Sequence, residues 1–216
     1  WVLGTPLGMA DLDESAVGVQ ALRFGDGEVQ AFFLGQPYGG TLETGLVAVI
    51  LRVFGPSVIA LKVAPMVLAA AAALVCWRIA VRLGLNRFAQ WAVPMLVWLG
   101  PAFSVWQSTK ERGFYGVAFL LATLCILVVL RLADRLTVPD AVALGVVVGL
   151  GWWQTPLTVL VVAPAVGWLF LHRWGSMRIL WWAAPAALVA AAPWIQWNQA
   201  NGWASVESRA DFGSSY

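Results

Sequence analysis

From Ala141 to Leu171 the chain runs 31 residues without a charged side chain. Written as one helix this stretch would be about 46 Å long, too long for one crossing of a hydrocarbon layer of roughly 30 Å and short for two full ones. GWWQTP, Gly151 to Pro156, supplies a break in its middle. Arg131 and Arg135 precede the run and Arg173 and Arg178 follow it. The bias of basic residues toward the cytoplasmic side sets both clusters on the same side. Two short spans joined by an outer turn are therefore predicted.

The rest of the chain divides in the same way. Ser57 to Arg78, Phe88 to Thr109 and Gly113 to Leu130 read as further spans, and Lys62 is expected to snorkel from the outer end of the first. A last span is expected from Ile179 to about Trp197, with Trp194 and Trp197 at the interface. The fold class is thus all-α, a polytopic bundle of about six spans. Arg78, Arg82, Arg87, Arg131, Arg135, Arg173 and Arg178 fall on the cytoplasmic side. Residues 1–56 form an extracytoplasmic acidic loop, 57–197 the membrane domain and 198–216 the start of another outer loop. The opening WVLGTPLG is expected to be the last turn of a preceding span, and the final DFGSSY is no obvious terminus, so the chain reads as a fragment.

Composition agrees: 61% of residues are hydrophobic, with 13 basic and 11 acidic residues and a mean hydropathy of +0.79. A net charge of +2 without a basic stripe excludes a nucleic-acid partner. Cys76 and Cys125 lie in apolar runs and imply neither a disulfide nor a metal pair.

Against this background DLDES, Asp11 to Ser15, collects three carboxylates on the outer side. Asp11 followed three residues later by Glu14 has the pattern of a helix-starting capping box. Val17, Ala21 and Phe24 then mark one face of a short interfacial helix, and Thr44 to Phe54 reads as a second. Between them the glycines and Pro37 of FFLGQPYGGTLE, Phe32 to Glu43, form a tight loop holding Tyr38 and Glu43 at the interface. The same topology brings Lys110 and Arg112, Gln154 and Thr155, and the amides of WNQANGWAS to the outer face. Carboxylates, two cations and amides around one outer cavity suit an anionic lipid headgroup beside a general base. Simpler roles stand beside these. Lys110 and Arg112 also suit interface anchors, and Tyr38 and Trp203 interfacial packing. Glu14 is either a second acid or an orienting partner. No metal ligand set is evident; a divalent cation on Asp11 and Asp13 is the one cofactor left open, unsupported by histidine or further carboxylates. His172, the only histidine, sits among cytoplasmic basic residues.

In its outer Asp13-Glu14 pair, in GQPYGGTLE, FGPSVIALKVAP and KERGFY, and in PWIQWNQANGWAS, the sequence resembles the GT-C membrane glycosyltransferases. The likeness is to the bacterial protein mannosyltransferase and aminoarabinose transferase relatives, the glycosyltransferase 39-like group. It extends over nearly the whole chain, and the order and spacing of these short motifs carry it. It implies a multi-pass enzyme of the bacterial plasma membrane, of which this chain is the section from the end of the first span to the seventh. Such an enzyme moves a sugar from a polyprenyl-phosphate donor to a lipid, glycan or protein acceptor. The resemblance assigns Asp13 as general base, with Glu14 beside it, and Lys110 and Arg112 as holders of the lipid phosphate. Tyr38, Glu43 and Gln154 are the candidates for contact with substrate.

Two other classes of function remain: a transporter or flippase-like carrier, and a noncatalytic scaffold subunit. A carrier is expected to place ionisable residues near the middle of its spans. Here the acids gather at the outer surface, which favours an interfacial enzyme.

Overall fold

The structure is a computed structural model that describes residues 8–207. The expected tail of a preceding span at the N-terminus and the final DFGSSY therefore lie outside the described residues. Within them the chain is helical, and pairing of extended backbone is limited to an isolated bridge between Phe32 and Gly40.

The outer segment forms α1, Leu12–Gly25, and α2, Leu42–Phe54, joined by the expected loop. α3, Val58–Arg82, begins where the Ser57 hydroxyl accepts the Ala60 N–H at 3.1 Å. α6 runs Tyr115–Asp134. These two helices are long and apolar enough to cross a membrane. Between them lie α4, Arg87–Leu99, and α5, Ala102–Gln107.

Phe88 to Thr109 was expected as one continuous span, and the structure divides it at Gly100–Pro101. Pro101 has no N–H for the ladder and disfavours helical geometry at the residue before it, and Gly100 leaves the helix with ψ −132°. The 13 residues of α4 then rise only about 20 Å.

The long uncharged run does break at GWWQTP. α7, Val138–Gln154, ends there, a single 3-10 turn covers Pro156–Thr158, and α8, Val159–His172, follows. Both halves are apolar but shorter than the two long helices. The last expected span is also broken: α9, Ser176–Leu180, gives way to α10, Ala183–Ala190, and α11, Ala192–Ala200, leaves at a bend of 52°. Pro193 in the first turn of α11 cannot continue the α10 ladder. Among the described residues two helices, or three if the bent pair counts as one span, are therefore long and apolar enough to cross a membrane. This is compatible with a membrane protein.

The helices pack in the order α4, α3, α6, α7, α10, with α8 also on α6, and with α1 lying on α2 and α2 on α3. One core joins Leu68 of α3, Leu121, Cys125 and Leu132 of α6, Leu144 of α7 and Leu169 of α8. A second, formed by Val17, Ala21, Phe33, Val47 and Leu61, fixes the outer helices to the start of α3. Leu74, Leu160, Leu188 and Val189 point outward, an exterior that suits lipid better than water. At the end of the bundle away from α1, Arg82 pairs with Asp134 at 2.7 Å and Arg131 with Asp140 at 2.6 Å.

α7 and α10 approach most closely through small residues. A Cβ at Gly145 would fall 2.1 Å from the Ala183 carbonyl oxygen, and one at Gly149 would fall 2.2 Å from that of Ala187. The spacing of four on both helices makes a backbone-to-backbone seam of the kind that drives association in lipid, where burial of apolar surface provides no net gain. Gly149→Ala is expected to lower stability by about 1–3 kcal/mol through overpacking. Gly167→Ala, whose Cβ meets nothing within 4 Å, is expected to leave it unchanged or slightly raised. Thermal unfolding of the two variants in detergent checks the contrast.

Candidate functional site

The site is built from the first turn of α1 outward. The Asp11 carboxylate accepts the Glu14 N–H at 3.1 Å, and Glu14 Oε2 accepts the Asp11 N–H at 3.2 Å, so the expected capping box is formed. Its geometry turns the Glu14 side chain inward, where it is fully buried. Glu14 Oε1 accepts from Lys62 Nζ at 2.7 Å and from the Glu111 N–H at 3.1 Å, and Oε2 accepts from Lys110 Nζ at 2.9 Å. A buried carboxylate is tolerated because two ammonium groups and two amides answer it.

Lys62 does not snorkel. Its side chain is only 1% exposed, and its ammonium also donates to the Thr109 carbonyl at 3.3 Å. α1 lies over the first turns of α3 and brings the counter-charge to it, which removes the drive to reach water. Lys110 is likewise enclosed, donating to the Met9 carbonyl at 2.6 Å and lying 3.6 Å from Asp11 Oδ2.

Asp13 occupies the outer side of the same turn and is 56% exposed. It pairs with Arg112 Nη1, while Arg112 Nη2 reaches Asp11 at 3.2 Å and the guanidinium stacks over Trp106 at 4.2 Å. Burial pushes the Asp11 carboxyl up, but the Glu14 N–H, Arg112 and Lys110 together hold it below its ordinary value. A divalent cation fits Asp11 and Asp13 poorly, because Arg112 already binds both carboxylates. Among the described residues no group of three or more His, Cys, Asp or Glu is placed to hold a metal.

Beside this cluster lies a cavity of about 350 Å³. Pro65 and Ala69 of α3, Val97 of α4 and Ala118, Phe119 and Ala122 of α6 give it an apolar wall. Glu43, Gln107, Lys110, Arg112, Tyr115 and Thr155 give it a polar one. The Gln107 side-chain carbonyl is buried without a hydrogen-bond partner.

Of the residues singled out in the sequence, Asp13, Glu14, Lys110 and Arg112 come together, and Glu43, Lys110 and Arg112 line the cavity. Tyr38 and Gln154 are set apart from it. The Tyr38 ring meets Phe114 edge-on at 6.4 Å. Gln154 is buried with its Oε1 accepting the Leu42 N–H at 3.2 Å, so it ties the start of α2 to the end of α7. Gly40 is required there, since a Cβ would lie 2.2 Å from that same oxygen.

Two groups that the sequence did not assign to the site belong to it. Lys62 is one. The other is Glu111, whose carboxyl lies near enough to that of Glu43 for the two to influence each other's charge. Glu43 Oε2 also accepts the Val117 N–H at 3.0 Å, and Gly116 leaves room for it, since a Cβ there would come within 2.9 Å of Glu43 Oε1. Glu111 Oε1 accepts the Gly113 N–H at 2.9 Å. Burial raises the Glu43 carboxyl. Burial, then the neighbouring Glu43, raise that of Glu111 well above the usual carboxylate range. The signal in the sequence was an acid placed between two bases in KER, ahead of a glycine that permits the turn, Gly113 at φ +80°.

Lys62→Met leaves Glu14 buried with one ammonium fewer and is expected to cost about 3–5 kcal/mol, against about 0–1 kcal/mol for Arg82→Ala at a more exposed pair. Chemical unfolding of both variants measures the difference. The raised carboxyls give a second expectation. The folded chain keeps protons there that the unfolded chain has released, so stability falls as pH rises from the ordinary carboxylate range through the raised values. Asp11 acts in the opposite sense, contributing stability that is lost as pH falls through its lowered value. A Glu43→Gln/Glu111→Gln chain is expected to lose the decline toward alkaline pH while keeping the acid limb, as read from thermal midpoints across pH.

Comparisons with protein-family models, with characterised proteins and with solved structures find no match for this chain.

Proposed function

We propose that this chain is part of an integral-membrane glycosyltransferase that moves a sugar from a polyprenyl-phosphate donor to an acceptor at the outer face. The observation that carries the reading is the amphipathic cavity. Its apolar wall is made by helices that suit lipid, and its polar wall holds Lys110 and Arg112, with the half-exposed Asp13 paired to Arg112. An isoprenoid chain would lie along α3 and α6 and its phosphate against the two cations. Six crossings follow if α4–α5, α7, α8 and α10–α11 each traverse the bilayer as α3 and α6 do. The meeting of basic chain ends at the side away from α1 supports that count.

In this reading the acceptor hydroxyl gives its proton to Asp13 as its oxygen bonds to the anomeric carbon. The bond from that carbon to the phosphate oxygen breaks, and the phosphate leaves with its electron pair stabilised by Lys110 and Arg112. Arg112 has to release Asp13 in part, and the departing phosphate offers it a replacement anion. Glu14, with both oxygens occupied, acts as the orienting partner.

Asp13→Asn in the full-length protein, supplied with polyprenyl-phosphate sugar and membrane acceptor, is expected to lower transfer by about 10²-fold or more while donor binding persists. Transfer at the wild-type rate would show the base assignment to be wrong. Transfer that survives there but is lost in a folded Glu14→Gln protein would move the role by one residue.

A further inference from the structure

A second cavity, a cleft of about 470 Å³, lies between α7, α8 and α10, and every residue that lines it is apolar. Because α10 packs on α7 and α8 on α6, α8 and α10 stand apart with α7 between them. Leu144 and Val148 of α7 make the floor of the gap, Val162 and Phe170 of α8 one wall, and Ala184 and Ala187 of α10 the other. From Val162 to Phe170 the wall rises about 12 Å, close to the depth of one leaflet of a hydrocarbon core about 30 Å thick. Gly167 opens into this cleft. A glycine inside a helix costs about 1 kcal/mol relative to alanine, and Gly145 and Gly149 are required by the α10 carbonyls beside them. Gly167 has no such reason, since a Cβ there would meet nothing within 4 Å. The room it leaves is taken by no protein atom among the described residues.

We propose that the cleft binds an anionic phospholipid, with one acyl chain between α8 and α10 and the phosphate headgroup on Arg173 and Arg178. The inference needs the bundle to lie in lipid and is independent of the glycosyltransferase reading. Phe170, just before His172, and Leu180, just after Arg178, both line the cleft, so the turn from 172 to 178 closes that end. Arg173 Nη2 donates to the Asp134 carbonyl at 3.1 Å, which fixes the turn to the end of α6. Arg178 is exposed and has no ion pair among the described residues. The arginines of α3, α4, α6 and this turn outnumber Asp134 and Asp140, the acids at this end among the described residues, and each acid is already paired with an arginine. The counter-charge this end lacks is an anion from outside the chain. Trp174 and Trp181 stand exposed beside Arg178, as indole rings do at headgroup level. A neutral lipid would fill the cleft without answering the arginines, and a soluble anion would answer the arginines without filling the cleft. A further helix, about 10 Å across, needs about twice that volume over the same length, so an extended acyl chain is the better fit.

Native mass spectrometry of the purified full chain in non-ionic detergent, titrated with phosphatidylglycerol or with phosphatidylcholine of the same acyl chains, separates the two parts of the site. Wild type is expected to bind phosphatidylglycerol about tenfold or more tighter than phosphatidylcholine. Gly167→Leu places a side chain in the cleft and is expected to weaken phosphatidylglycerol binding about tenfold, as is Ala184→Leu on the opposite wall. Thermal midpoints without lipid check that both variants are folded. Arg178→Gln alters an exposed side chain and carries little risk to the fold. It is expected to bring the affinity for phosphatidylglycerol to within about twofold of that for phosphatidylcholine and to leave the latter unchanged. Equal wild-type affinity for the two lipids overturns the inference, as does an undiminished preference in Arg178→Gln. Undiminished binding in the folded leucine variants would place the lipid on the arginines alone and overturn the cleft. Glycerol phosphate bound as tightly as phosphatidylglycerol would reassign the site to a soluble anion and overturn the lipid. Failure of wild type to bind either lipid would overturn the inference in favour of a protein segment that covers the cleft.

Discussion

The structure depends on one carboxylate. Glu14 ties three separate stretches of chain to one point: the cap of α1, the second turn of α3 through Lys62, and the 109–111 turn through Lys110 and the Glu111 amide. Every other element of the site is positioned relative to that point. Because α1 cannot shift without opening a buried ion pair, Asp11 and Asp13 are held facing Arg112, and Arg112 is held over Trp106 at the edge of the cavity. A pair of this kind adds little net stability compared with an apolar contact of equal volume, but it penalises every alternative arrangement in which one charge is left alone. The result is a surface loop fixed to a membrane-compatible bundle with the definition of a core.

A division of labour follows within DLDES. Adjacent residues on a helix point about 100° apart, so one acid can enter the protein while its neighbour remains in solvent. Asp13 and Glu14 are separated in this way: one is over half exposed and one is fully buried. Their surroundings differ accordingly: Asp13 is open to solvent beside Arg112, and Glu14 is enclosed by the Lys62 and Lys110 ammonium groups.

Much of this was legible in the sequence where the cause is local. The capping box follows from Asp11 and Glu14 three residues apart, the loop before α2 from its glycines and Pro37, and the break between α7 and α8 from Pro156. What was not legible depends on distant partners. Nothing near Lys62 announces that an acid 48 residues earlier will neutralise it, and so snorkelling was the natural expectation. Glu111 reads as one member of a charged turn until α2 delivers Glu43 to it. The interruption at Gly100–Pro101 was a local signal of the same kind as Pro156, outweighed in the reading by the absence of charge around it. Apolarity sets how far a segment extends through lipid, while the hydrogen-bond ladder sets whether it does so as one helix.

Gly116 has an implication for chains related to this one by descent. The space a methyl group would occupy is the space through which Glu43 reaches the Val117 amide. Residues 43 and 116 are therefore coupled through volume although they are remote in sequence. A lineage that acquires alanine or serine at position 116 has to shift the carboxyl at position 43, and the Leu68 side chain beside it, by a few tenths of an ångström or shorten the acid. Paired replacement at these two positions, rather than invariance of either alone, is the mark this packing would leave on an alignment.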